Sequence, residues 1–286
     1  MSTETKSRLE QTRQSSLRHA ARANRVVVSD PKSGKRIDVS FYAPPEHLAH
    51  VVDGLWTTSW DLRDQAPHRT ETLSDPTIHI VMERGLSRVV GVHVQRFSRL
   101  LEGRGRILAV KLWPGAVAAF TSVSATKFRN RSAPLEEVFP IDARALEESV
   151  FAHKEDALAY APFLACLTEH LGPLPAEARL ARTLVEYVAN TPLLTQVRDL
   201  ERSFKNDART LQRITERYIG VPPKWIIRRV RVQEAAALLA QGPRPLASLA
   251  ADLGYTDQAH FARDFKAVVG LTPSAFAQRQ AAAMAP

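Results

Sequence analysis

Basic and amide side chains recur at a fixed spacing in the last third of this chain. Arg213 and Arg263 are 50 residues apart. Three further pairs repeat at the same distance, namely Asp207 with Asp257, Gly220 with Gly270, and Pro223 with Pro273. Guanidinium and amide groups form paired hydrogen bonds with the edges of bases, and cationic groups bind phosphates. The repeat therefore indicates a surface for polyanions that is built twice.

Each copy of the repeat is predicted to be a helix, a short turn and a second helix. Apolar periodicity predicts helices over 194–204 and 208–219 in the first copy, and over 245–254 and 258–269 in the second. Asp207 in one turn, and Thr256 or Asp257 in the other, can cap the helix that follows. Gly220 and Gly270 can end these helices in the left-handed conformation. One long helix, over 226–242, is predicted between the copies.

The second helix of each copy presents polar side chains away from an apolar stripe. Leu211, Ile214 and Tyr218 form the stripe in the first copy, and Phe261, Phe265 and Val268 form it in the second. A single polar helix face is typical of any solvated helix, and two helical hairpins can be a structural bundle without a ligand. The same basic face, placed twice after a turn, favours binding, because such a helix is short enough to enter a major groove.

The segment from about 180 to 276 resembles the AraC family of bacterial transcription regulators. The resemblance rests on RTLQR at 209–213, GVPPKW at 220–225, RVQEAAALLA at 231–240 and LGYTDQAHFARDFKAVVGLTPSAF at 253–276. It implies an all-α domain with two helix-turn-helix units that binds double-stranded DNA, with recognition helices at 209–217 and 258–266. The first unit departs from the family at Thr215, where an aromatic residue is usual. We therefore expect the half-site under Arg213 to be bound more loosely.

The resemblance also implies which side chains contact DNA. Arginine suits guanine and glutamine suits adenine, whereas Thr210 and Lys266 suit phosphates. The candidate DNA-binding residues are Arg209, Thr210, Gln212, Arg213, Gln258, Ala259, His260, Arg263 and Lys266.

Charge and composition agree with a polyanionic partner. The 286-residue chain has a formal net charge of +9, and residues 176–286 hold 16 Lys and Arg against 10 Asp and Glu. No apolar run reaches the length of a membrane helix, and the N-terminus lacks the apolar core of a secretory signal. Cys166 is the single cysteine, which excludes an internal disulfide, and its apolar surroundings predict a buried position. We therefore predict a cytoplasmic protein with no membrane partner.

The chain is predicted to be an α+β protein of four parts. A disordered basic tail spans 1–35, and a β-rich, barrel-like sensor or dimerisation domain spans 36–145. A helical connector follows at 146–175, and the all-α DNA-binding domain with two helix-turn-helix units spans 176–286. Strands are predicted over 37–42, 55–62, 77–83, 87–94 and 106–113. Residues 42–139 also resemble an uncharacterised N-terminal domain of AraC-like regulators, through 42–56, 75–83 and 101–116.

The N-terminal half carries no recognisable catalytic motif. His68, His79 and His93 are spread over three segments without a His-x-His pair, so we predict neither a metal nor a cofactor. Trp56, Trp60 and Trp113 either line an apolar pocket or, as we favour, pack in the core.

The favoured function is a sequence-specific transcription regulator and not an enzyme. Its predicted partners are double-stranded DNA and a small-molecule effector at the N-terminal domain, with RNA polymerase and a second copy of the chain as further candidates. Two alternatives stay open: a metal- or cofactor-dependent β-barrel enzyme fused to a DNA-binding module, and a helical interaction module that binds no DNA.

Overall fold

The computed structural model describes residues 36–73, 75–191, 194–242 and 244–284. A sheet-rich region is followed by a helical region, which confirms the predicted α+β class. The predicted tail at 1–35 lies outside the described residues.

The sheet-rich region is antiparallel throughout the described chain. Six strands form one sheet in the order β1-β2-β7-β4-β5-β8, and β3 pairs with β6 in a separate ribbon. β1 and β8 are the two edges of this sheet, so it is open and only loosely barrel-like. The strands are β1 (Ile37–Tyr42), β2 (Val52–Leu62), β3 (His68–Thr72), β4 (His79–Glu83), β5 (Arg88–Val90), β6 (Phe97–Leu101), β7 (Gly103–Leu112) and β8 (Ser132–Pro134).

Two features of this region differ from the sequence prediction. The strand predicted over 87–94 ends at Val90, because the backbone at Gly91 lies against a short 3-10 turn, Ala125–Phe128. A Cβ atom at Gly91 would lie 1.8 Å from the carbonyl oxygen of Phe128. The ribbon of β3 and β6 was not predicted, because its sequences HRTET and FSRLL lack apolar alternation.

The helices of the predicted connector pack onto the sheet. α1 (Ala143–Phe151) and α2 (Asp156–Glu169) share one hydrophobic core with β2, β4 and β7. The hydroxyl of Tyr160 in α2 donates to the carbonyl oxygen of Trp56 at 2.8 Å. We therefore propose that the N-terminal domain includes these two helices.

Seven helices follow in the described chain. Asp207 and Asp257 cap α5 and α8, as predicted. Pro223 begins α6, which is longer at its start than the predicted 226–242. The helices are α3 (Ala176–Asn190), α4 (Val197–Phe204), α5 (Ala208–Tyr218), α6 (Pro223–Ala240), α7 (Leu246–Asp252), α8 (Gln258–Val269) and α9 (Pro273–Met284).

α6 belongs to both helical units at once. Ile226 and Ile227 at its start pack in the core of α3, α4 and α5. Val232 and Ala236, further along, pack in the core of α7, α8 and α9. One stiff helix therefore fixes how the two helix-turn-helix units stand relative to each other.

The N-terminal domain contacts both helical units. Val92 packs in the core of the first unit and Leu73 in the core of the second. The indole N–H of Trp225 in α6 donates to the carbonyl oxygen of Val94 at 3.3 Å. The N-terminal domain thus packs directly against both units.

Gly220 lies at one of these domain contacts and should not tolerate a side chain. Its φ is +98°, and a Cβ atom would lie 2.8 Å from the carbonyl oxygen of Ala125. Gly85 also has positive φ, +70°, but has open space around it, so Gly85→Ala is a matched control. We expect Gly85→Ala to lower the free energy of unfolding by about 1 kcal/mol and Gly220→Ala by about 1 kcal/mol more. Equal losses in urea unfolding would show that the contact with Ala125 carries no energy.

Candidate nucleic-acid interface

The start of α5 is fixed by two carboxylates. The Asp207 side chain accepts the backbone N–H of Thr210 at 2.7 Å, and this hydrogen bond lowers the Asp207 pKa. The Glu201 side chain, from α4, accepts the N–H of Ala208 at 2.8 Å. Both satisfy backbone donors that a helix start leaves without partners. The first turn of α5 is therefore held rigidly on α4.

The candidate residues of α5 lie on its outer face. Arg209, Gln212 and Arg213 are exposed, and Thr210 is half-buried. The predicted stripe of Leu211, Ile214 and Tyr218 is buried.

Thr215, where the sequence departs from the family, is also buried. It is 1% exposed, and its hydroxyl donates to the carbonyl oxygen of Gln212 at 3.2 Å. The core of the first unit thus accepts this polar residue by satisfying it within its own helix.

Arg213 is paired with an acidic residue of α3. Its guanidinium donates to the two carboxylate oxygens of Glu177 at 2.6 Å and 3.0 Å. The hydroxyl of Tyr218 donates to the same carboxylate at 3.3 Å, and these bonds hold the Glu177 pKa below its usual value. The sequence prediction missed Glu177, because no local pattern links positions 36 residues apart.

α8 begins with the same kind of aspartate cap as α5. The Asp257 side chain accepts the backbone N–H of His260 at 2.7 Å. The candidate residues Gln258, Ala259, Arg263 and Lys266 are exposed.

The side chain of His260 is less exposed than those of the other candidate residues on α8. Its side chain is 44% exposed, and its ring packs edge-on against Tyr255 with 5.3 Å between centroids. Nε2 of His260 lies 3.9 Å from the Asp264 carboxylate. The histidine therefore lies at the margin of the exposed face.

The two arginines at matching positions differ in their surroundings. In the part of the chain that the structure describes, Arg263 has no ion-pair partner, whereas Arg213 is bound by Glu177. The neighbouring Asp264 is paired instead with Arg228 of α6 at 3.1 Å. Arg263 is therefore free to bind an external group, and Arg213 must first leave Glu177.

The N-terminal domain holds both helices near their C-terminal ends. The hydroxyl of Ser124 donates to the carbonyl oxygen of Arg217 at 3.3 Å, and the Arg129 side chain donates to that of Gly220. At the end of α8, the Arg96 guanidinium lies beside Gly270. The N-terminal turns of α5 and α8, which carry most of the candidate residues, are left exposed.

The histidines of the N-terminal half are not brought together. His79 accepts a hydrogen bond from the Trp56 indole at 3.1 Å, and the ring of His93 packs against that of Phe97. Within the described ranges, no group of three or more His, Cys, Asp and Glu side chains is placed to hold a metal ion.

Trp60, Trp113 and Cys166 lie in different surroundings. Trp60 is buried in the core, as favoured, while the Trp113 ring is covered by the Arg182 guanidinium at 3.9 Å. Cys166 is half-buried, less than predicted, because it lies towards the outer face of α2. Burial raises the pKa of its thiol.

Two family models match separate parts of the chain. Residues 200–279 match a helix-turn-helix domain, and residues 40–134 match a domain of unknown function, DUF6597. The C-terminal region is an AraC-type helix-turn-helix domain. α5 and α8 are the second helices of the two units in this AraC-type domain.

One curated relative matches part of the AraC-type domain. It is an uncharacterized HTH-type transcriptional regulator from Haemophilus influenzae, 38% identical over 64 residues. The match covers 22% of this chain and 22% of the relative, so it compares one segment of each protein.

Solved structures of ToxT from Vibrio cholerae are similar over most of the chain. One is 10% identical with a TM-score of 0.38 and covers 85% of this chain and 97% of its own. Another is 13% identical with a TM-score of 0.37 and covers 87% of this chain and 99% of its own. Among the described residues, no helix is both long and apolar enough to cross a membrane.

Proposed function

We propose that this protein is a sequence-specific DNA-binding transcription regulator whose α5 and α8 enter successive major grooves. One observation carries the proposal: two carboxylate-capped helices in an AraC-type domain keep their N-terminal turns exposed while their C-terminal ends are held. Helix-turn-helix proteins contact base edges with the N-terminal residues of the recognition helix.

The spacing of the two units suits this docking. α6 has 18 residues and, at a rise of 1.5 Å per residue, spans about 27 Å. Successive major grooves on one face of B-DNA are about 34 Å apart. Because α6 packs in the cores of both units, it can set their separation without a flexible linker.

Base contacts are proposed for four exposed arginine and glutamine side chains of the two helices. Arg263 and Gln258 of α8 are suited to guanine and adenine, and so are Arg209 and Gln212 of α5. The remaining candidates are placed at phosphates or at the edge of the contact, namely Thr210, Arg213, Ala259, His260 and Lys266. Arg213 changes from Glu177 to DNA upon binding.

Control by an effector would act through the domain contacts. The N-terminal domain touches both units, so a ligand that favours one arrangement of this domain against the helical units also changes how α5 and α8 are presented to DNA. We propose that this coupling transmits effector binding to DNA affinity.

Titration with labelled promoter fragments tests the proposal directly. Fragments flanking the protein's own gene are compared with random duplexes of equal length by fluorescence anisotropy. We expect at least one fragment to bind about 1,000-fold more tightly than random DNA, with affinity falling steeply as salt rises. If every fragment bound no better than random DNA, the protein would not be a sequence-specific regulator.

Releasing Arg213 from Glu177 should strengthen DNA binding. Glu177→Gln keeps the side-chain shape but removes the charge that holds the guanidinium. An exposed ion pair contributes little to stability, so we expect the specific Kd to fall by no more than about fivefold.

Glu186→Gln is the matched control for this change. Glu186 is a second acidic residue of α3 that is paired with an arginine, Arg182, at 2.7 Å. Equal gains in both variants would mean that only net charge matters and that Arg213 is not held back.

A further inference from the structure

A cleft lies where the N-terminal domain meets α6 and α8. Its volume is about 220 Å³, and it is lined by Val94 and Gln95 between β5 and β6, by Trp225 and Arg229 of α6, and by Ala267 of α8. Pockets for drug-sized ligands have about 300–1,000 Å³, so this cleft suits a smaller molecule.

Arg229 is a buried cation without hydrogen-bond acceptors. It is 1% exposed, and its Nε, Nη1 and Nη2 atoms have no hydrogen-bond partner among the described residues. The Trp225 ring, 5.9 Å from the guanidinium carbon, gives only a cation–π contact. Burying a guanidinium with unused donors is costly, so a molecule that supplies acceptors would be bound favourably.

The acidic side chain near Arg229, that of Asp75, is already paired with another cation. The Asp75 carboxylate accepts a hydrogen bond from the Lys111 ammonium at 2.6 Å. Burial lowers the pKa of Arg229 to about 10, and the negative charge of Asp75 opposes that lowering. Arg229 is therefore still charged at neutral pH, while its N–H groups find no acceptor on Asp75.

We propose that this cleft binds a small organic oxyanion, a carboxylate or a phosphate ester, through the guanidinium of Arg229. Arginine pairs with either group through two parallel hydrogen bonds. Val94, Trp225 and Ala267 supply an apolar wall, which suits an anion that carries a short apolar body. Inorganic anions would lack that second contact.

The cleft is placed to act on a recognition helix. Arg228, which also lines it, is ion-paired with Asp264 of α8 at 3.1 Å. A bound oxyanion would thus touch the N-terminal domain, α6 and α8 together. The inference that the cleft is an effector site rests on the proposed function, whereas the inference that it binds an anion does not. Anion binding is therefore measured first, without DNA.

Titration of the full chain with defined anions tests the site. The probes are benzoate, phenyl phosphate and inorganic phosphate, with benzamide as a neutral counterpart of benzoate and sodium chloride at matched ionic strength. We expect benzoate or phenyl phosphate to raise Tm and change tryptophan fluorescence in a saturable manner, and benzamide to do neither. Fluorescence is informative because Trp225 lines the cleft.

Variants separate this site from adventitious binding. Arg229→Met, which removes the charge at similar length, should weaken binding at least about tenfold, while Arg279→Met, at an exposed arginine of α9, should leave it unchanged. If Arg229→Met does not fold, Ala267→Leu fills the cleft from an exposed position and should also abolish binding.

Two results would overturn the proposal. The first is the absence of a saturable response to both organic anions, in which case the cleft holds water only. The second is an equal response in the native chain and in Ala267→Leu. The titration is then repeated with promoter DNA: a shift in DNA affinity that Arg229→Met removes supports an effector role. Anion binding without such a shift would show that the cleft binds a ligand but does not control DNA affinity. It would not contradict the proposal that the protein binds DNA.

Discussion

Arg263→Ala is expected to weaken specific DNA binding by about 1–3 kcal/mol, which corresponds to a roughly 5- to 150-fold rise in Kd. Arg263 is exposed on α8 and has no ion-pair partner among the described residues, so all of its donors are available to a base. The loss should be concentrated at one base position, because a bidentate arginine distinguishes guanine from the other bases.

The measurement is an affinity series over operators changed one base pair at a time. Arg279→Ala, an exposed arginine of α9, is the matched control and should change neither affinity nor preference. If Arg263→Ala weakened specific and random DNA equally, Arg263 would be a phosphate contact.

Arg213→Ala should cost less than Arg263→Ala in the same assay. Arg213 must give up two hydrogen bonds with Glu177 before it can bind DNA, and that cost is subtracted from its contribution. The departure at Thr215 first suggested that the first unit binds DNA more weakly than the second. The pairing of Arg213 with Glu177 gives a physical reason for that difference. An equal loss at both positions would contradict this explanation.

Acidification from pH 6.5 to pH 4 should destabilise the native chain through His79. Burial lowers the pKa of His79 to about 4 in the folded protein, from 6.5 without that environment, and the Lys111 cation adds to the shift while Asp75 opposes it. Nδ1 of His79 accepts the Trp56 indole N–H at 3.1 Å, which requires a neutral ring.

The sign of the effect follows from the two pKa values. Above pH 6.5 both the folded and the unfolded chain hold a neutral imidazole, so the stabilisation is complete. Between pH 6.5 and about pH 4 the unfolded chain binds a proton that the folded chain does not, and stability falls as pH falls. The total loss through His79 is at most about 3 kcal/mol, since one pKa unit corresponds to about 1.4 kcal/mol.

Urea unfolding at several pH values measures this loss. His79→Gln cannot titrate in this range and should flatten the curve, whereas His153→Gln, at an exposed histidine, should not. His93, whose pKa burial also lowers, accounts for part of the slope that remains. An unchanged slope in His79→Gln would show that the ring takes up its proton equally in the folded and unfolded chains, so that its pKa is not lowered by folding.

The sequence alone determined the helical units, because their signals are local. The spacing of apolar residues, the caps at Asp207 and Asp257 and the positive φ at Gly270 all act within a few residues of the chain. These elements could therefore be placed without knowledge of any partner segment.

Only the tertiary structure decided which arginines are free. Arg213, Arg229 and Arg263 look alike in the sequence, yet one is paired with Glu177, one is buried without acceptors and one is exposed. The burial of Arg229 was weakly indicated by the sequence. Arg229 lies three residues after Ile226 and three residues before Val232, on the buried face of α6.

These three environments could not be predicted locally, because the identity of an arginine does not determine its surroundings. Its long side chain can be solvated, paired or buried, and the outcome depends on groups that are distant along the chain. Glu177 lies in another helix and Asp75 in another domain, so no window of the sequence contains both members of either interaction.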